Sequence, residues 1–487
     1  MKPTNLLHAA LAAATVNSSP TDKRSGTSCT SLTAPDVSGA DITSISGTEA
    51  SDHCAVQIYL THTDATDNVS IITWLPLTDW NGRYQGTGGG GFSTGGSSTA
   101  LSSPVADGYV AGTTDGGLPS DSNSTNFAND TQLMTNFAYL SIHDMTVVGK
   151  ALAEQFYGTS VNYSYWNGCS TGGRQGYMEA QRYPTDYQGI YAASPPLDYA
   201  YFEVSRLWPY VVQNVEGEFV DECVYDSLTA AAIAYCDDDD GGDDGLISDP
   251  PTCQFDATQM INTTATNCTD STTITALQAQ IWNQIAAGPV DTEGNSLYFG
   301  IAKGASYSAL AGTTPQKDSA GFTKAWVLKN MSYDLSLITY ETFPEIFVLA
   351  YEEWNDLIGT NNANLTDFYE AGGKLLSWHG WADPSIYANE TADYWLRVLD
   401  VMNGNGTEVD EFYRLFMAPG VGHCGGGTGA TPTDPFDALV AWVENGTTPD
   451  TLAASGNGIT RNLCLYPLEL EYSGSGDLSD ADSWTCA

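Results

Sequence analysis

Basic side chains are scarce in this chain: 16 Lys and Arg stand against 59 Asp and Glu in 487 residues, a formal charge of −43. Phosphate backbones and anionic lipid surfaces are held by Lys and Arg, so nucleic acid and membrane surfaces drop out as expected partners. Long apolar runs are also missing. Beyond the N-terminal stretch no segment approaches the ~18 uninterrupted apolar residues a membrane span requires, so a soluble mature protein is expected. No CxxC pair and no paired zinc spacing occurs among the cysteines, and no internal repeat is found. Histidine is rare, with six in all, which keeps the search for a catalytic base short. Core-forming material is plentiful. At 42% hydrophobic and 11% aromatic the chain is too apolar to be an acidic disordered solvator. Its length allows one large domain with an insertion, or two to three domains, at roughly 100–200 residues per domain.

The chain opens with Met1-Lys2-Pro3 and an Ala-rich apolar stretch, Leu6 to Val16, the pattern of a secretory signal. Lys23-Arg24 follows and reads either as a processing site or as an ordinary exposed pair, so residues 1–24 are assigned to a signal peptide and propeptide. Ten cysteines after a signal point to five disulfides. Twelve Asn-x-Ser/Thr sequons agree with a secreted, extracellular glycoprotein.

Strand-like alternation fills Ala55 to Leu75, and helical spacing fills Asp130 to Tyr157. A short strand, Tyr163 to Asn167, enters Gly168-Cys169-Ser170-Thr171-Gly172-Gly173, and a helical stretch follows. Strand, tight turn and helix in that order is an α/β signature. From about Tyr201 to Leu365 acidic clusters, Cys and sequons accumulate, which reads as an insertion with its own small core. Alternation resumes at Lys374 to Trp378, Ala388 to Val401, Tyr413 to Phe416 and Phe436 to Val443. The domain reading is therefore a first α/β part over 25–204, an inserted lid over 205–365 and a second α/β part over 366–487.

Gly168 to Gly172 matches G-x-S-x-G, the nucleophile elbow, in which a strained turn between strand and helix lifts the Ser hydroxyl above the sheet. Ser170 is the candidate nucleophile, and the Thr171 N–H, at the start of the next helix, points at a developing oxyanion. A Gly- and Ser-rich chain can match this pattern by chance, so the strand and helix on either side carry the reading. In this fold class the acid and then the His follow the Ser in sequence. His53, His62 and His143 precede Ser170, leaving His379 and His423. His423 sits in a glycine-rich loop after a strand, and Asp383 lies on the turn after Trp378-His379-Gly380-Trp381-Ala382, so these two fill the base and acid places. His379 is read as a hydrogen-bonded neighbour. Cys169 precedes Ser170 and Cys424 follows His423, so a Cys169–Cys424 disulfide would tether nucleophile to base. Cys54 falls to nearby Cys29.

Gly-Cys-Ser-Thr-Gly-Gly-Arg-Gln-Gly from Gly168 to Gly176, Trp378 to Asp383, and Gly422-His423-Cys424 together resemble the tannase/feruloyl esterase family, marked by Cys-Ser and His-Cys pairs joined through a disulfide. Trp80-Asn81-Gly82-Arg83 and Gly86 to Phe92 resemble that family's oxyanion loop. The likeness runs from about Cys29 to Cys486. It implies an α/β-hydrolase fold with a large lid domain between nucleophile and acid, hydrolysis of phenolic-acid esters, and an N–H of the Gly88 to Gly91 loop, Gly89 first among them, as the second oxyanion donor. It also implies pairing into homodimers, which no residue in the sequence decides.

Asp237 to Asp244 packs six carboxylates into eight positions. By composition a solvated acidic loop and a Ca²⁺ site are equally open readings, since Ca²⁺ takes 6–8 oxygen ligands in flexible loops. The family resemblance implies a structural Ca²⁺ held by the carboxylates of Asp237, Asp240 and Asp244 and the carbonyls of Gly242 and Leu246. Under the same resemblance Cys236–Cys253 closes this loop and Cys464–Cys486 staples the C-terminus. A further lid bridge common in relatives is broken near Asn262, so Cys268 is left for Cys223. No redox or organic cofactor is implied.

These residues predict a secreted serine carboxylesterase acting on small phenolic or plant cell-wall esters, with hydroxycinnamate esters expected and galloyl esters the alternative. Two rivals are a calcium-dependent carbohydrate-binding glycoprotein and a glycosidase using paired Asp residues. Neither explains Cys169-Ser170 together with His423-Cys424.

Overall fold

The computed structural model describes residues 27–120 and 123–487, so the signal and propeptide expectation for 1–24 lies outside the described residues. A nine-stranded sheet runs through the molecule. Its strands are β1 (Ala40–Glu49), β2 (His53–His62), β3 (Val69–Pro76), β4 (Arg83–Thr87), β5 (Val110–Thr114), β6 (Tyr163–Cys169), β7 (Gly189–Ala193), β8 (Lys374–Gly380) and β9 (Tyr413–Ala418), in the order β1-β2-β3-β5-β4-β6-β7-β8-β9. β1 to β3 form an antiparallel edge, and from β5 to β9 neighbours are parallel. Burial explains the difference in texture. β2 alternates buried and half-buried residues, as a strand with one wet face does, whereas β5 is buried throughout between covering layers. The parallel register carries the C-terminal ends of β4, β6, β7, β8 and β9 to one edge of the sheet, where ligands bind in open α/β folds. This is the α/β-hydrolase arrangement.

Between β7 and β8 the chain leaves the sheet and builds a mainly helical layer, including Trp208–Glu216, Glu222–Cys236, Ala276–Ala287 and Phe343–Ile358. Its core centres on Tyr225, Trp282, Tyr307 and Trp326, all fully buried. That core is not self-contained, which corrects the expectation of a separate small one. Phe92, Phe127 and Phe137 enter it from the segment before β6: Phe92 stacks on Phe137 at 5.3 Å, and Phe127 meets Trp326 edge-on at 5.7 Å. Each fully buried aromatic contributes about 1.5–3 kcal/mol, so the neighbouring segment adds materially to the layer's core.

All five disulfides join the expected partners: Cys29–Cys54, Cys169–Cys424, Cys223–Cys268, Cys236–Cys253 and Cys464–Cys486. Four close local loops of 17 to 45 residues, while Cys169–Cys424 spans 255. Among the described residues no helix is long and apolar enough to cross a membrane.

Candidate active site

β6 runs directly into Ser170, which takes φ 62° and ψ −128° before the helix Thr171–Arg182 begins. A residue with a Cβ disfavours that conformation, so the surroundings must hold it. Two glycines make the turn fit. A Cβ on Gly168 would lie 2.3 Å from the Gly172 carbonyl oxygen, and one on Gly173 would lie 2.3 Å from that of Ala193. The Ser170 N–H donates to the Ala193 carbonyl at 3.0 Å, fixing the elbow to β7. Farther along, fully buried Arg174 donates to the carbonyls of Ala138 and Phe137 at 3.0 and 3.1 Å, which a π-helical turn over Asn136–Leu140 leaves available.

Loops after β8 and β9 bring the acid and base to the same edge, bound to each other by backbone. The Trp381 N–H donates to Ala418 O at 2.9 Å and the Ala382 N–H to Val421 O at 3.0 Å. The result is a continuous line of side chains. Ser170 Oγ lies 2.9 Å from His423 Nε2, and His423 Nδ1 lies 2.7 Å from Asp383 Oδ2. Cys169 and Cys424 flank the Ser–His pair and are bonded to each other. His423 is 28% exposed at its side chain whereas Asp383 is fully enclosed, so the line runs from solvent-facing base to sealed acid.

Asp383 is saturated with donors. Oδ2 also meets His379 Nε2 at 3.1 Å, and Oδ1 accepts from the Ser385 and Ile386 N–H groups at 2.7 and 3.0 Å. Burial alone would push this carboxyl up, but the hydrogen bonds and charges of His379 and His423 outweigh it and hold it well below the usual carboxylate range. His379 itself is fully buried, with Nδ1 2.8 Å from Thr391 Oγ1.

The loop Gly88–Gly91 lies against the start of the nucleophile helix. The Gly172 N–H donates to Gly89 O at 3.0 Å and Thr171 Oγ1 to Gly91 O at 2.5 Å. The Thr171 N–H has no partner among the described residues. Gly89 is a correction. Its N–H donates to Gln175 Oε1 at 3.0 Å, because Gln175 is fully buried and its amide must be satisfied, while its Nε2 donates to Thr94 O at 2.8 Å. The adjacent Gly90 N–H has no partner among the described residues, and Gly90 Cα faces open space. Sequence reasoning missed Gln175, although it lies in the Gly168 to Gly176 motif.

Within the acidic loop the carboxylates turn toward their own backbone. Asp237 Oδ1 accepts from the N–H groups of Asp244, Gly245 and Leu246 at 3.0, 2.8 and 3.2 Å. Asp240 takes the Gly242 N–H and the Ser248 hydroxyl, and Asp244 takes the Leu246 N–H and the buried Arg461 guanidinium. Among the described residues no three His, Cys, Asp or Glu side chains converge in a metal-binding group. Leu246 packs against Gly420, where a Cβ would come within 2.4 Å of it. The acidic loop thus touches the loop that carries His423.

The family model described as tannase and feruloyl esterase matches residues 54–487. A protein of Arthroderma benhamiae described as a probable feruloyl esterase is 38% identical over 94% of this chain and 93% of its own length. Among solved structures, feruloyl esterase B from Aspergillus oryzae is similar with a TM-score of 0.83 and 26% identity, covering 93% of this chain and 98% of that one. Tannin acyl hydrolase from Aspergillus niger is similar with a TM-score of 0.81 and 26% identity, covering 92% and 90%.

Proposed function

The chain belongs to the tannase and feruloyl esterase family and is a carboxylic ester hydrolase, and from that premise we propose that it cleaves hydroxycinnamate esters through Ser170, His423 and Asp383. The observation that carries the proposal is the 2.9 Å contact of Ser170 Oγ with His423 Nε2, backed by the 2.7 Å contact of Nδ1 with Asp383. With Nδ1–H donating to Asp383, Nε2 is left to accept the Ser170 proton as Oγ attacks the ester carbonyl. Asp383 holds that tautomer and stabilises the imidazolium. The Thr171 N–H meets the oxyanion, with Gly90 replacing Gly89 as the second donor. The imidazolium protonates the leaving alcohol, and water, deprotonated by His423, then releases the acid from Ser170.

A cavity of about 310 Å³ supports an aromatic acyl group. Its wall includes Pro384 and Ser385, directly after Asp383, and is completed by lid residues such as Tyr210, Ile301 and Leu310 with Arg206. That relatives are described as feruloyl esterases supports the feruloyl reading over the galloyl one. The test is twofold. An organophosphate should label Ser170 covalently, and methyl ferulate and methyl caffeate should be turned over faster than methyl gallate. Faster methyl gallate hydrolysis would move the reading to tannase, and absence of Ser170 labelling would end the serine mechanism.

For calcium, the donor chemistry of the acidic loop fits. Asp237, Asp240 and Asp244 with the carbonyls of Gly242 and Leu246 would supply oxygen donors only, and the crowding of like charge is what a hard dication offsets. Bound there, Ca²⁺ supplies structural charge neutralisation, and the chain's own residues perform the chemistry. Secretion as a glycoprotein accords with five disulfides and twelve sequons.

A further inference from the structure

A second hollow, about 720 Å³, lies on the sheet face away from the nucleophile helix. The register explains what faces it. Gln85 pairs with Tyr165 and Thr87 with Asn167 across β4 and β6, so alternate residues of both strands point to one side. The helix Pro435–Asn445 covers that side over β7 and β8, and the short helix Ser102–Ala106 covers it over β3 and β5. The strip between them stays open.

Two primary amides form the floor of this strip. Gln85 is only 5% exposed, yet its side chain has no hydrogen-bond partner among the described residues, and the same holds for the half-buried Asn167. Neither amide is sealed from solvent, so both open onto the groove, where each offers a donor and an acceptor to whatever occupies it. Tyr109 and Phe436, with ring centroids 6.1 Å apart and tilted by 59°, form an apolar wall. The Arg83 charge is offset by Glu444, whose carboxylate accepts from its Nε and Nη2 at 2.6 and 2.7 Å. Exposed carboxylates of Asp107, Asp434 and Asp437 stand around the opening and repel anions while accepting hydroxyl donors.

Paired donor–acceptor amides, acceptor carboxylates and aromatic surface are the groups that recognise a neutral polyhydroxylated ring. The volume lies within the range of about 300–1,000 Å³ usual for small-molecule sites. We propose that this groove binds a neutral oligosaccharide as a non-catalytic site. Asn167 stands three residues before Ser170 on β6, so a sugar polymer held here stays close to the centre that hydrolyses its esters. That consequence rests on the esterase reading, whereas the binding does not.

Isothermal titration of the full chain with xylohexaose, cellohexaose and arabinohexaose tests the proposal. Saturable binding of at least one is expected, lost in Ser103→Trp, which fills the groove from an exposed position, and weakened about threefold to tenfold in Gln85→Leu. Melting temperatures of both variants establish folding. Ser103→Trp should retain methyl ferulate hydrolysis and lose rate only on polymer-linked feruloyl esters. Undiminished binding by folded Ser103→Trp, binding of spermidine in place of sugars, or no binding of any of the three hexasaccharides overturns the proposal. Native protein that binds sugar but leaves methyl ferulate intact would overturn the esterase reading alone.

Discussion

Asp383 and Asp237 are both buried aspartates whose carboxylates accept several backbone N–H bonds, yet their acidities move in opposite directions. At Asp383 burial is outweighed by two histidines on one oxygen, and the carboxyl is held well below the usual range. At Asp237 burial dominates, neighbouring Asp243 and Asp244 add to it, and three backbone donors do not compensate, so the carboxyl is pushed up to about 6. Backbone donors alone therefore do not settle a buried charge; partners able to carry positive charge do. The active-site corner carries such partners within the chain. Among the described residues the acidic loop pairs with one cation, Arg461, and the proposed dication would supply the charge it lacks.

The largest effect should come from removing the charge at Asp383. Asp383→Asn preserves shape but offers His423 the wrong hydrogen-bond partner, and kcat should fall about 10⁴-fold with the fold retained, measured by steady-state kinetics on methyl ferulate. Next comes the covalent tie. Cys169→Ala/Cys424→Ala should lose more turnover than fold, against a stability loss of about 2–5 kcal/mol; unchanged kcat with a lower Tm would make the bridge merely structural.

Chelation should act on the other side of the comparison. Removing Ca²⁺ with EGTA should lower stability by about 3 kcal/mol relative to protein at a hundredfold excess of Ca²⁺ over its Kd. A smaller fall in kcat should accompany it, because Leu246 supports Gly420 in the His423 loop. An unchanged melting curve would remove calcium from the account. The smallest expected effect concerns Glu203, whose carboxyl burial pushes up to about 7, with nearby Arg206 opposing. Its folded value exceeds its unfolded one, so ionisation opposes folding: the protein loses stability as pH rises from about 4.5 through 7. Glu203→Gln should flatten that part of the Tm profile, and an unaltered slope would assign it elsewhere.

Much of the active-site corner was legible because its constraints are local. Gly168 and Gly173 are required by contacts under 2.5 Å, and the order Ser170, Asp383, His423 follows from strand order. Less of the fold was legible where periodicity is short or absent. β4, β5 and β7 each have five residues and are largely buried, so they carry almost no alternation to read. The helix Phe343–Ile358 was missed although it is amphipathic, and the Trp208–Glu216 helix was hidden in aromatic-rich sequence. Gly89 illustrates a different limit. Nothing along the chain indicates that its N–H would be taken by Gln175, 86 residues away.

By itself the sequence determined the chemistry on offer: a nucleophile in a strained turn, an acid and a base after it, paired cysteines and a concentrated negative charge. Those properties reside in residue types and short spacings, which survive without coordinates. Tertiary structure decided which backbone N–H remains free, that His379 shares Asp383 with His423, that the lid core continues into the segment before β6, and that Gln85 faces an open groove. Each depends on packing between segments far apart in the chain, where hydrogen-bond satisfaction and burial are settled jointly by all neighbours.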